Sequence, residues 1–276
     1  MKNNIYPSDN LKNLHELVQI YKNKYLNLSA FEYKANPSDK KLTIKTFNDF
    51  VKDIEDFGSY MLKNKFKRIA LISPNRYEWC VSYLAATTSN LEIVPLDKSL
   101  PNNEITDLLI RSEADTIIYA KQYHEAIKNC KNKICFDEKF QDSLLYSEEL
   151  KKSRTIDHTE YNNITIDNEK MSVMIFTSGT TNVSKAVMLS QKSICSVIND
   201  TKKMFYVTEN DRFLSFLPLH HVFESVITFL FGSSLGVTLV FCDGLKHFAS
   251  NIKEYNITGF VCVPLIIEMI YKKINK

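Results

Sequence analysis

Apolar residues recur at helical spacing from about Leu11 to Tyr25, at Leu11, Leu14, Leu17, Val18 and Tyr21, and this period predicts a first helix. A second is predicted after Thr46, a suitable N-cap, with Phe47, Phe50, Val51, Ile54 and Phe57 on its apolar side. Beyond these, short apolar runs alternate with helical stretches. RIALIS (68–73), EIVPLD (92–97), DTIIYA (115–120) and KICFD (133–137) form one series. VMIFTS (173–178), FLSFLP (213–218), TLVFC (238–242) and ITGFVCVP (257–264) form another. Continuous apolar strands separated by helices predict an α/β fold, with largely parallel sheets covered by helices on both faces. Trp79 and Tyr83 fall on one such helix and are expected in the core. The polar stretch from about residue 151 to 167 is the expected boundary between two lobes, 1–165 and 166–276.

The run Ser225 to Cys242 carries no charge over eighteen residues, the lower limit for a spanning helix. Gly232, Ser233, Ser234 and Gly236 divide it into a helix, a turn and the β-branched strand TLVF, so a buried connection is expected and no membrane span. Thirty-five Lys and Arg against thirty-two Asp and Glu give a net charge of +3, which supplies no electrostatic footprint for nucleic acid. The six cysteines stand at irregular intervals, without a C-x-x-C pair or a histidine at metal-ligand spacing. No metal site is therefore expected from protein ligands alone. Scattered thiols suit a reducing cytoplasm, and MKNNIYPSDN lacks the apolar stretch of a signal peptide.

The segment with the most chemistry is FTSGTTNVSKAVMLS, Phe176 to Ser190. A buried strand delivers the chain into a loop with the hydroxyls of Thr177, Ser178, Thr180 and Thr181 around Gly179; Lys185 follows, and AVML is a second strand-like run. Backbone N–H groups, hydroxyls and one cation in a small volume are what wrapping a polyphosphate requires. A polar hairpin enriched in Ser and Thr is the plainer alternative. The G-x-x-x-x-G-K-[ST] frame fails here, since it would put its second glycine at Ser184 and its hydroxyl residue at Ala186.

This segment resembles the phosphate loop of the adenylate-forming superfamily, [ST]SGTTG-x-[PS]-K-[GA]-V, and the closest likeness is to long-chain fatty acyl-CoA synthetases. Thr177, Ser178, Gly179, Thr180, Thr181 and Lys185 match position by position, while Asn182 replaces the usual second glycine. Asparagine tolerates a left-handed backbone better than other non-glycine residues. Downstream, FLPLHHVFE (Phe216 to Glu224) is similar to the family's L-P-L-x-H-x-x-E segment, which puts His221 at the family histidine and Glu224 at the acidic position. Asn75 to Ile105 and Asp243 to Ile274 also resemble family stretches in the same order.

The resemblance implies an incomplete N-terminal domain of an enzyme that joins a carboxylate, expected to be a fatty acid, to ATP as acyl-AMP and then to coenzyme A. It implies ATP, Mg²⁺ and coenzyme A as cofactor and co-substrates. Thr177, Ser178, Gly179, Thr180, Thr181 and Lys185 would take the phosphates, His221 would be the catalytic residue, and His221 with Glu224 would stand on the acyl side. The family's Tyr-Gly-x-Thr-Glu and Thr-Gly-Asp segments and its lid domain have no counterpart in this sequence. The chain alone is therefore expected to turn over negligibly, and a separate C-terminal half and peripheral membrane contact stay open. The rival expectations are a non-catalytic adenylation-fold interaction or regulatory module and a small membrane-associated protein.

Overall fold

Thr46 starts the longest helix by a reciprocal cap. Its hydroxyl accepts from the Asp49 N–H at 3.1 Å, and the Asp49 carboxylate accepts from the Thr46 N–H at 2.9 Å. The helix Phe47–Lys63 then buries the predicted stripe of Phe47, Phe50, Val51, Ile54 and Phe57. The first predicted helix is Leu14–Ile20, continued by a wider π-helical turn over Tyr21–Tyr25.

The computed structural model describes residues 10–128, 130–177 and 184–274. Twelve strands lie among them: β1 (Ser29–Tyr33), β2 (Thr43–Thr46), β3 (Arg68–Ile72), β4 (Glu92–Pro95), β5 (Thr116–Tyr119), β6 (Asn132–Cys135), β7 (Leu144–Leu145), β8 (Met171–Thr177), β9 (Lys185–Ser190), β10 (Arg212–Ser215), β11 (Thr238–Phe241) and β12 (Gly259–Phe260). They form a five-stranded sheet, β12-β10-β11-β1-β2, and a seven-stranded sheet, β7-β6-β5-β3-β4-β8-β9. Pairing is parallel throughout except at β1/β2 and β8/β9, so each sheet ends in one antiparallel edge strand.

Alternation along the strands makes the layers. In β3, Ile69 and Leu71 face a core shared with the helices Phe47–Lys63 and Tyr77–Thr88. Ala70 and Ile72 face the opposite side, against Ile105, Leu108 and Leu109 of the helix Asn102–Ser112. The first core also takes in Phe31 of β1 and Leu239 and Phe241 of β11, so those two helices lie between the sheets. Trp79 and Tyr83 stack there, both 1% exposed, with ring centroids 5.2 Å apart. Beyond the five-stranded sheet, Leu214 and Val240 pack on Phe248 and Tyr255.

The expected division at residue 165/166 does not follow the sheets. Strands β8 and β9 belong with β3 to β7, whereas β1 and β2 belong with β10 to β12. The reason is that parallel partners are chosen across space: β8 lies beside β4 through Ile93 and Val173, and β1 lies beside β11 through Phe31 and Leu239. Nor is the polar stretch near 151–167 a free linker. Its Tyr161 is fully buried and donates to the Thr88 hydroxyl at 2.8 Å, and His158 Nε2 lies 3.0 Å from the buried Asp56.

The uncharged run resolves as the sequence pattern predicts. A π-helix over Phe223–Phe231 and a short turn over Gly232–Ser234 lead into β11. No helix among the described residues is long and apolar enough to cross a membrane.

Candidate functional site

Strands β3, β4 and β8 run parallel, so their carboxyl ends share one edge of the seven-stranded sheet. In open α/β sheets this edge is where ligands bind, because loops leave the strands there with free backbone groups. Thr177 ends β8 at this edge and Lys185 opens β9 opposite it, the two being Cα partners across the hairpin. The Thr177 hydroxyl donates to the Lys185 carbonyl at 3.4 Å, and both side chains are exposed. Ser178, Gly179, Thr180 and Thr181 lie outside the described residues.

A second group converges on a cleft of about 870 Å³ lined by the ends of strands from both sheets, with Asn75, Arg76, Lys98, Ser215, Phe216 and Asp243 in its wall. Asn75, just past β3, reaches across to the other sheet. Its amide donates to Ser215 Oγ at 3.1 Å and to the Leu217 carbonyl at 2.7 Å, and its oxygen accepts from the Leu219 N–H at 3.0 Å. One side chain thereby fixes the turn after β10 that carries both histidines. Arg76 is neutralised within the wall by Glu78 at 2.9 Å and Asp137 at 2.7 Å. Burial pulls the Lys98 ammonium below its ordinary pKa, so that cation is held where water screens it poorly.

The two histidines divide sharply. His221 is exposed, and its carbonyl accepts from the N–H groups of Glu224 and Ser225 at 3.0 Å, which starts the helix behind it. His220 is 5% exposed, with Nε2 3.1 Å from Asp97 Oδ1 but off hydrogen-bond alignment. Burial lowers the His220 pKa to about 4, outweighing the opposing pull of Asp97, so the ring is neutral at pH 7. The ring centroids of the pair are 4.3 Å apart.

Glu224 is fully buried. Ser215 Oγ donates to it at 2.6 Å and Thr228 Oγ1 at 2.8 Å, and burial raises its pKa to about 7 against the pull of those two donors. It reaches the cleft only through Ser215, which lies in the wall.

Of the residues read from the sequence, Thr177 and Lys185 stand at the carboxyl edge of the seven-stranded sheet and His221 follows β10 of the other sheet, and none of the three is in the wall of this cleft. Asn75, Ser215 and Arg111 emerge only from the fold. The guanidinium of Arg111 donates to the Ser184 carbonyl at the hairpin mouth. The contacts of Asn75 with Ser215 and of Arg111 with Ser184 span 140 and 73 residues of sequence, so no local pattern could have signalled them. Among the described residues no three His, Cys, Asp or Glu side chains converge as a metal site.

Comparison with known proteins bears on this arrangement. The chain is 25% identical over 269 residues to long-chain-fatty-acid–CoA ligase 5 of Mus musculus, covering 88% of this chain and 39% of that one. It is 25% identical over 240 residues to fatty acyl-CoA synthetase B of Dictyostelium discoideum, covering 78% of this chain and 35% of that one. The chain therefore spans well under half the length of these curated relatives. Among solved structures, the long-chain-fatty-acid-CoA ligase FadD1 of Archaeoglobus fulgidus superposes with a TM-score of 0.84 at 17% identity, over 99% of this chain and 56% of that one. The N-terminal domain of FACL13 from Mycobacterium tuberculosis gives 0.78 at 21% identity, over 94% and 65%. The two parallel sheets flanked by helices are the fold of these ligase domains. The signature of the AMP-binding enzymes matches residues 24–276, nearly the whole chain, and the chain belongs to that family.

Proposed function

We propose that this chain forms the nucleotide side and part of the acyl side of a ligase that activates a fatty acid with ATP, first to acyl-AMP and then to acyl-CoA. The observation that carries the reading is the position of these groups at the carboxyl ends of parallel strands in the two sheets. The hydroxyl-and-lysine hairpin mouth at Thr177 and Lys185, the Asp97–His220 contact and the cleft wall at Asn75 and Ser215 all follow the carboxyl ends of parallel strands.

The chemistry asks a carboxylate to meet the α-phosphate of ATP, so two anions must approach each other. Positive charge and oriented N–H dipoles dominate such a step. In this reading Lys185 offers an exposed cation to the β- and γ-phosphates beside the Thr177 hydroxyl. His221 lies toward the carboxylate, and Glu224 positions Ser215 at the cleft. Magnesium would neutralise phosphate charge. Coenzyme A is the thiol that would receive the acyl group.

The test is binding of a stable acyl-adenylate mimic, 5′-O-(N-palmitoylsulfamoyl)adenosine, to the 276-residue chain. It joins the acyl and nucleotide halves, and should bind at least about tenfold more tightly than AMP if both subsites belong to this chain. Equal affinity for the mimic and AMP would remove the acyl side of the proposal, and binding of neither would remove the whole.

A further inference from the structure

Arg111 stands near the end of the helix Asn102–Ser112, yet its guanidinium reaches β8 and the residue that leads into β9. One N–H donates to the carbonyl of Ser184, the residue before β9. The guanidinium carbon lies 5.4 Å from the ring centroid of Phe176, the residue before Thr177. Another N–H donates to Asp107, one turn back on its own helix, at 3.2 Å. The side chain is 32% exposed, so most of the group is enclosed by these contacts.

The place matters because of what stands beside it. The last two rungs of the hairpin are Phe176 with Ala186 and Thr177 with Lys185. Strand β9 is the edge of its sheet, paired on one side only, and Lys185, Ala186, Val187 and Met188 are all exposed. Such a strand is at the low-stability end of a fold, and its terminal rungs open first. A planar guanidinium can donate from one edge to Ser184, turn its face to Phe176 and donate from another edge to Asp107 at once. A lysine ammonium can supply the charge but not that fork.

We propose that Arg111 is a positioning residue for Lys185, clamping the hairpin mouth so that Thr177 and Lys185 are held ready for an anionic polyphosphate. The inference rests on the nucleotide reading given above. It assigns Arg111 no contact with ligand, because its charge is already turned to Asp107 and the Ser184 carbonyl.

Amide hydrogen exchange of peptides covering β8 and β9, with binding of the fluorescent nucleotide mant-ATP and Mg²⁺ in parallel, tests it. Arg111→Ala is expected to speed exchange at the mouth and weaken mant-ATP binding, each by about tenfold, the scale of one charge-assisted hydrogen bond. Exchange in β3 to β6 should stay at the wild-type rate. Arg111→Lys should fall closer to Arg111→Ala than to wild type. Wild-type exchange in Arg111→Ala overturns the clamp, and so does a uniform rise across both sheets. Faster exchange with unchanged affinity overturns the positioning role. A wild-type chain that binds no mant-ATP overturns the nucleotide reading and the positioning role with it, an outcome distinct from a chain that binds but ignores Arg111.

Discussion

Ser215 donates its hydroxyl to the carboxyl of Glu224 at 2.6 Å, and this contact joins a fully buried acid to the wall of the cleft. On the far side of Ser215 stands Asn75, 3.1 Å away, so the acid, the hydroxyl and the amide form one chain from the helix Phe223–Phe231 to the end of β3. Buried networks of this kind hold a single geometry only while every member is satisfied.

Because Glu224 has a folded pKa of about 7 against an ordinary 4.5, the folded state keeps a proton that the unfolded chain releases. Its stabilising effect is complete below the ordinary value and is lost as pH rises through about 7, a difference on the order of 3 kcal/mol. Glu224→Gln retains shape and hydrogen bonding without a charge to bury. Its unfolding midpoint should exceed that of wild type above pH 7.5 and converge with it near pH 5. Parallel midpoint curves for the two proteins from pH 5 to 8.5 would show that Glu224 does not titrate with folding.

Gly58 lies inside the helix Phe47–Lys63, where alanine is ordinarily better by about 1 kcal/mol. Here a Cβ would sit 2.6 Å from the Tyr161 ring and 2.7 Å from Ser89 Oγ. Both neighbours are buried, and overpacking of this kind costs about 1–3 kcal/mol, so strain outweighs propensity. Gly58→Ala is predicted to lower the urea midpoint, and Gly58→Ala with Tyr161→Leu to recover part of the loss.

Arg212 of β10 grips Glu32 of β1 with both arms, at 3.0 and 2.6 Å, while its Nε donates to the Tyr255 carbonyl at 2.6 Å. The pair spans the intervening strand β11, and Glu32 is 8% exposed. Removing one partner leaves the other charge poorly hydrated, so Arg212→Ala should cost about 3 kcal/mol in denaturant unfolding. Arg212→Lys should recover little, because an ammonium cannot match the two carboxylate oxygens and the carbonyl together. A full rescue by lysine would reduce the role of Arg212 to charge alone.

Most of the layered fold was legible because buried parallel strands read as continuous apolar runs, and RIALIS, DTIIYA and TLVFC each became a strand. Strands β1 and β2 were not legible. SAFEY is short and TIKT is half polar, and β1 takes its place from Leu239 and Val240 of β11, some two hundred residues on. The same distance explains why the sheets do not divide at residue 165/166, since sheet membership follows burial between remote segments. At the candidate site, Thr177 and Lys185 are named from motif and spacing, and the fold pairs them across the β8–β9 hairpin. The neutral state of His220, by contrast, comes from burial that outweighs the pull of Asp97, which no run of residues around position 220 encodes.

In the proposed function the hairpin mouth at Thr177 and Lys185 meets nucleotide phosphates. Titration of mant-ATP and mant-AMP with Mg²⁺ into wild type and Lys185→Ala tests it most directly. Wild type is expected to prefer mant-ATP, and Lys185→Ala to lose affinity for mant-ATP by about tenfold or more while mant-AMP changes little, the result of removing one charge-assisted contact to the outer phosphates. Equal affinities of wild type and Lys185→Ala for mant-ATP would contradict it.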